Sequence, residues 1–435
     1  MVEEEKKFFN DDVKTSSSDP PEVSLKMENY NPKSNIYKVI VLALIFLMLY
    51  SSNNAFDTMI SQMYFQMGYY SLGNLTLIAM CFSVSLSSVL APFAAKFFSF
   101  KISMFFCSIS FIILQFMGAF TCFCTTKPGF VLCNEILIYF VNIFFALIMG
   151  FFIVILWICQ CGYTTNLCDD SHKSLYFGIF SCIFQLSILF GALITASIMN
   201  FFQNQFLFFC VCLFLTIVAA FSFLFLPHVD TLDFVEESEF KQKVKDLYAL
   251  FKRKDKISIS CIAGFCGMEI GFWIGNLYRF VEITLSSNLK AEDINVYTAW
   301  VFAFLGLFEI LGGLIAAFLG DRLKKYTLVY FANLLIFISF CLSLALIFEQ
   351  NYALCFVIAG FLGTGDCILQ IMLNALVSTD GNNILHFSHY VLIQNMGVVI
   401  SILLGLTLSS LVDIIVMLSV QIIFFVISIY FKTNQ

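Results

Sequence analysis

Charge is what this sequence has least of. Asp, Glu, Lys and Arg make up 12% of its 435 residues, against about 25% in soluble chains. That scarcity excludes a soluble globule. Segments of about ten residues alternating apolar and polar, the mark of an outer-membrane β-barrel, are also missing. Sixteen cysteines are present, but no Cys/His set has zinc spacing. No nucleophile–base set, phosphate loop or metal constellation occurs. The chain therefore reads as a non-enzyme with no cofactor and no metal, and nothing in it asks for nucleic acid. The first 35 residues are polar and charged rather than a basic start followed by an apolar core, so no cleavable signal peptide is read there.

What is abundant is apolar. The hydrophobic share is 60%, the mean hydropathy is +0.91, and Phe alone accounts for 55 residues. The apolar residues come in runs near the ~20 needed to cross about 30 Å of hydrocarbon. The fold class is an all-α membrane protein. Its phenylalanines read as lipid-facing and interhelical filler, with an aromatic ligand pocket as the alternative.

Taken in order, residues 1–35 form a disordered cytosolic tail. Six spans follow over residues 36–226: Ile36–Phe56, Leu72–Pro92, Ile102–Cys122, Ile136–Cys159, Leu175–Met199 and Phe206–Leu226. Asn53, Asn54 and Asp57 read as a polar exit from the first. Residues 227–256 are a polar connector holding seven of the 23 Lys and Arg residues. Six more spans fill 257–431: Ile257–Val281, Val296–Leu319, Thr327–Phe348, Tyr352–Leu376, Phe387–Leu411 and Ile414–Phe431. With the amino terminus inside, 20 Lys and Arg fall on inner segments and three (Lys127, Arg279, Lys290) outside, a strong positive-inside bias. Both termini are thus expected in the cytosol, in a plasma membrane or an endomembrane. Cys122, Cys124 and Cys133 bracket one outer loop that has room for a disulfide. His172, His228, His386 and His389 fall in inner loops or at a helix start and read as solvated.

Three carboxylates interrupt the apolar runs of the second half. Glu269 is 12 residues into the seventh span, Glu309 is 12 residues before Asp321, and Asp366 is 14 residues into the tenth. At about 1.5 Å per residue each lies ~18–21 Å from a helix end. An ionised acid at that depth costs ~2.5–3.5 kcal/mol. Each must therefore face a cavity, find a partner, or stay protonated. A proton- or cation-responsive cluster is one reading; separate hydrogen-bonded acids between helices is the other. The first half offers amides at this depth instead of acids: Gln115, Gln160 and Gln185.

Two six-span halves with a charged central loop resemble the major facilitator fold, whose halves enclose a central cavity. The segment Gly320, Asp321, Arg322, Lys324, Lys325 between the eighth and ninth spans resembles that superfamily's loop motif. Its first-half counterpart keeps Lys96 and Lys101 but has no acid. Three further stretches resemble the uncoordinated-93-like family, an ion-channel regulatory branch. The first holds Trp157, Gln160, Gly162, Tyr163 and Thr165, then Gly178, Phe180, Gln185, Ser187 and Gly191. The second is Gly267, Glu269, Gly271, Phe272 and Trp273; the third runs from Gly363, Gly365, Asp366 and Gln370 to Phe387, Gln394, Asn395 and Gly397. The resemblance implies a transporter-like protein that modulates ion transport or a membrane partner, such as an ion channel or receptor subunit. The alternative is a proton-coupled secondary transporter of a small solute or ion, acting through the midplane acids.

Overall fold

The computed structural model describes residues 32–90, 99–127, 129–167, 173–229, 240–285, 291–320, 322–377 and 383–433. The tail up to residue 31, Lys96, His172 and Asp321 lie outside them. Every regular element among the described residues is helical. The first half comprises α1 (Pro32–Gln66), α2 (Leu72–Ser87), α3 (Phe100–Thr126), α4 (Glu135–Leu167), α5 (Lys173–Phe202) and α6 (Gln205–Leu224). A separate helix, α7 (Phe240–Lys252), falls within the connector. The second half comprises α8 (Lys254–Leu285), α9 (Ala291–Gly320), α10 (Lys325–Glu349), α11 (Tyr352–Val377), α12 (Asn383–Thr407) and α13 (Ser410–Thr433). Eleven of these are long and apolar enough to cross a membrane, and α2 is a shorter apolar helix.

The two halves pair their helices in the same way. In the first, α1 packs on α5 and α6, α4 on α2 and α3, and α3 on α6. In the second, α8 packs on α12 and α13, α11 on α9 and α10, and α10 on α13. Shifting each first-half helix by seven labels gives its second-half equivalent, so the chain is built of two copies of one six-helix plan. The halves meet mainly along two lines, α5 against α9 and α2 against α12.

The first span is longer than the sequence suggested. Instead of leaving the membrane after Phe56, α1 runs ten residues further, to Gln66. Its polar residues are absorbed inside the helix. The Asn53 amide donates to Asp57 one turn on at 2.6 Å, Thr58 Oγ1 donates back to the Asn54 carbonyl at 2.7 Å, and Asn54 donates to Ser187 of α5 at 2.9 Å. The true stop is Gly68, at φ +94°. The Gly68 and Tyr69 amides there bond back to the carbonyls of Phe65 and Tyr64. This is a Schellman turn, which needs the left-handed backbone that glycine adopts freely.

At the end away from the connector, Cys124 and Cys133 form a disulfide across a nine-residue separation. At the connector end, α7 lays Leu247 and Leu250 inward, and its Phe251 ring stands 4.5 Å from the His389 ring on α12. His389 is therefore buried rather than solvated; α7 covers it. His228 is exposed as expected.

Candidate functional site

Glycines bring the second-half helices together. Without a hydrophobic force between helices in lipid, close backbone approach through small residues provides much of the packing. A Cβ on Gly271 of α8 would lie 2.6 Å from the Val398 carbonyl of α12, and one on Gly397 of α12 would strike the Gly264 carbonyl. A Cβ on Gly363 of α11 would lie 2.5 Å from the Leu305 carbonyl of α9, and one on Gly312 of α9 would be 2.6 Å from the Thr364 carbonyl of α11. The acids sit within these crossings. Glu269 lies between Gly267 and Gly271, Glu309 between Gly306 and Gly312, and Asp366 directly after Gly365.

The three carboxyls, drawn from three helices, converge. They are 0%, 2% and 1% exposed for Glu269, Glu309 and Asp366. Asp366 is the foremost charged neighbour of Glu269, Glu309 is another, and Asp366 is also the charged neighbour of Glu309. Gln370 donates to Asp366 at 2.8 Å. Neither oxygen of Glu269 forms a hydrogen bond of good geometry, and Oε2 of Glu309 is likewise unmatched. The carboxyls of Glu269 and Asp366 stand close enough to interact directly, and burial this complete makes an ionised form of any of the three costly. Cys266 and Cys367 flank the cluster, within charge reach of its acids. Among the described residues, no group of three or more His, Cys, Asp or Glu side chains is placed to hold a metal ion.

The first-half amides divide between two settings. Gln185 of α5 reaches across the seam, its amide 3.5 Å from the Cys367 sulfur beside Asp366. Gln160 stays within its own half, donating to Thr164 at 3.2 Å. Gln115 also stays inside, where its oxygen accepts from Thr216 at 2.6 Å and from Ser52 at 3.1 Å. Gln185 alone of the three touches the acid region. In the loop motif, Gly320 closes α9, Arg322 lies in the turn, and Lys325 opens α10 with its ammonium on the Ala375 carbonyl at 2.8 Å. Lys325 thereby caps the end of α11, where a cation complements the carbonyl end of the helix dipole.

Sequence reasoning missed a fourth acid. Asp57, read as an exit residue, is a half-buried side chain inside α1, with one oxygen held by Asn53 and the other unpaired. The first half therefore does carry a carboxyl within its longest helix. The Asn53/Asp57 spacing of four, followed by the apolar Met59, Ile60 and Met63, was the available signal. Beside it, Tyr50 packs against Trp157 and Phe184 with centroids 5.5 and 5.1 Å apart, in a cluster that also takes in Phe46 and Phe180. These aromatics fill one another's space, so they form core.

The profile of the Major Facilitator Superfamily matches residues 40–384. This chain belongs to that superfamily. The match runs from α1 through α11 and stops at the start of α12, and solved superfamily structures overlay nearly the whole chain. The nucleoside transporter NupG is 15% identical, with a TM-score of 0.63, over 91% of this chain and 98% of its own. A variant of the same transporter, with a single aspartate replaced by alanine, gives the same identity and score over 92% of this chain. A bacterial homolog of the human lysosomal transporter Spinster, captured inward-facing and unoccupied, is 11% identical with a TM-score of 0.60 over 92% of this chain and 98% of its own. At these identities the likeness is one of fold. No curated protein matches the sequence. Superfamily membership makes the chain a polytopic membrane protein of transporter architecture rather than an enzyme.

Proposed function

We propose that this major facilitator protein is a secondary transporter, moving a small solute or ion by rocking its two six-helix halves about the α5–α9 and α2–α12 seams. Glu269, Glu309 and Asp366 are its proton-coupling group. One observation carries this reading: three neutralisable carboxyls from three helices meet in a water-poor interior, and Gln185 of the opposite half reaches their edge. Rocking would separate Gln185 from Cys367 and change the polarity around the acids, which is how a protonation equilibrium becomes coupled to conformation. The positive-inside bias and the disulfide at the far end both support an orientation with connector and termini in the cytosol, because disulfides persist on the oxidising side.

The test is proton uptake by purified protein in liposomes, read with an internal pH dye while a solute panel is added outside. Nucleosides lead the panel because a transporter of like fold carries them. Some solute should drive acidification in the wild type, and Glu269→Gln or Glu309→Gln should abolish it while the protein still elutes as one species. Uptake of normal size in both variants removes the acids from the mechanism.

Regulation of a membrane partner, as the uncoordinated-93-like resemblance implies, is the second reading. Its support is that Gln185, Glu269 and Asp366, from all three stretches of that resemblance, lie in one region of the molecule. Stoichiometric co-purification with a channel or receptor subunit, without solute-driven proton movement, would favour it.

A further inference from the structure

From the acid cluster, a row of unmatched buried polar groups leads toward the end of the bundle opposite the connector. Trp273 lies one turn beyond Glu269 on the same face of α8, and its indole Nε1 has no hydrogen-bond partner at 7% exposure. The Trp273 ring packs on Phe302 of α9 at 6.0 Å. One turn further along α9 is Thr298, fully buried, with an unpartnered hydroxyl. Thr298, Phe302 and Glu309 share one face of α9, at spacings of four and seven residues. Three residues on is Asn295, which forms a reciprocal amide pair with Gln66 at the tip of α1, at 3.0 and 3.2 Å. Gln205 also donates to Gln66 there, at 2.7 Å.

Buried polar groups in native proteins are almost always matched, by protein or by ordered water. Two indifferent helices would not align several unmatched groups in one file by packing alone. We propose that Trp273 and Thr298 are positioning residues of a proton access lane, which runs from the Gln66–Asn295 pair to Glu269 and carries a transient file of water. Along it each water accepts one proton and releases another, so the net change is one proton added to or taken from the Glu269 carboxyl. The indole N–H donates to this file, and the Thr298 hydroxyl donates and accepts. The titratable groups facing Glu269 are Asp366 on α11, Glu309 on α9 and Cys266 on α8 itself, and Tyr390 of α12 faces Asp366 and Cys266. The lane rests on the acid reading above, since it supplies the group assigned there as proton acceptor.

The experiment is infrared spectroscopy of the reconstituted protein on switching to D2O, following the carbonyl stretch of neutral carboxyls. Glu269→Gln should remove part of that band; a band left unchanged defeats the acid reading itself. With the band assigned, Trp273→Phe and Thr298→Val should each slow its deuterium shift by tenfold or more, whereas Tyr390→Phe, on the connector side, should not. Wild-type exchange rates in both lane variants overturn the lane and leave the acid reading standing. Slowing by Tyr390→Phe alone places access at the opposite end and also overturns it. Thr298→Val is nearly isosteric, so it keeps the test intact if Trp273→Phe fails to fold.

Discussion

Gly363→Ala should loosen the acid site without touching an acid. The added methyl would sit 2.5 Å from the Leu305 carbonyl oxygen and 3.3 Å from the Glu309 nitrogen. Ordinary contact begins near 3.4 Å, so α9 and α11 must part by about 0.9 Å at this crossing. Overpacking of this kind costs ~1–3 kcal/mol. Against it stands the gain of about 1 kcal/mol for replacing a helical glycine by alanine. The matched control is Gly178→Ala on α5, where nothing lies within 4 Å of the new Cβ. That variant takes the helical gain with no clash, so its thermal midpoint in detergent should hold or rise. The Gly363→Ala midpoint should fall below it by the overpacking cost, and the separation of Glu309 from Asp366 should reduce solute-driven proton uptake more than stability. Equal midpoints for the two alanine variants would refute the claim that glycine contacts set the spacing of the acids.

Cys124→Ser/Cys133→Ser, which opens the nine-residue loop, should cost about 2.5 kcal/mol on the chain-entropy estimate. Reductant should lower the thermal midpoint of the wild type and leave that of the variant unchanged. Gln66→Leu should destabilise more than Asn295→Leu, because it takes a partner from fully buried Asn295 as well as from Gln205, at ~1–3 kcal/mol, whereas Gln66 keeps Gln205 when Asn295 is lost; thermal midpoints of the two variants measure this. Gln115→Leu should weaken the first half only by the hydrogen bonds lost, ~0.5–1.5 kcal/mol, because Ser52 keeps the Cys212 carbonyl at 2.7 Å and Thr216 keeps Ser52 at 2.9 Å; proton uptake per folded molecule should be unchanged.

Much of this architecture is written in composition. Apolar runs near the bilayer thickness, with basic residues between them, place most helices to within a few residues. The depth of Glu269, Glu309 and Asp366 also follows from counting at a fixed rise per residue. Whether they meet does not. Convergence depends on which faces of α8, α9 and α11 oppose one another, and that is set by glycine contacts such as Gly363 on Leu305, between residues far apart in the chain. Asp57 was misplaced for a local reason. Asparagine and aspartate near the end of an apolar run look like an exit to water, yet here Asn53 bonds Asp57 inside the helix and Asn54 bonds across to Ser187, with one oxygen each of Asn53 and Asp57 left unpaired. His389 was misplaced for a tertiary one: its cover is supplied by α7, a helix outside the membrane-spanning set.

One fastening between the halves at the far end consists of carboxamides, Gln66, Asn295 and Gln205; beside it Gln203 donates to the Asp293 carboxyl at 3.3 Å, in an exposed contact. Neutral groups feel neither the ionic atmosphere nor titration. Brine and buffer outside would leave the grip of that carboxamide latch unchanged, while the Asp293 contact at the rim stays open to both.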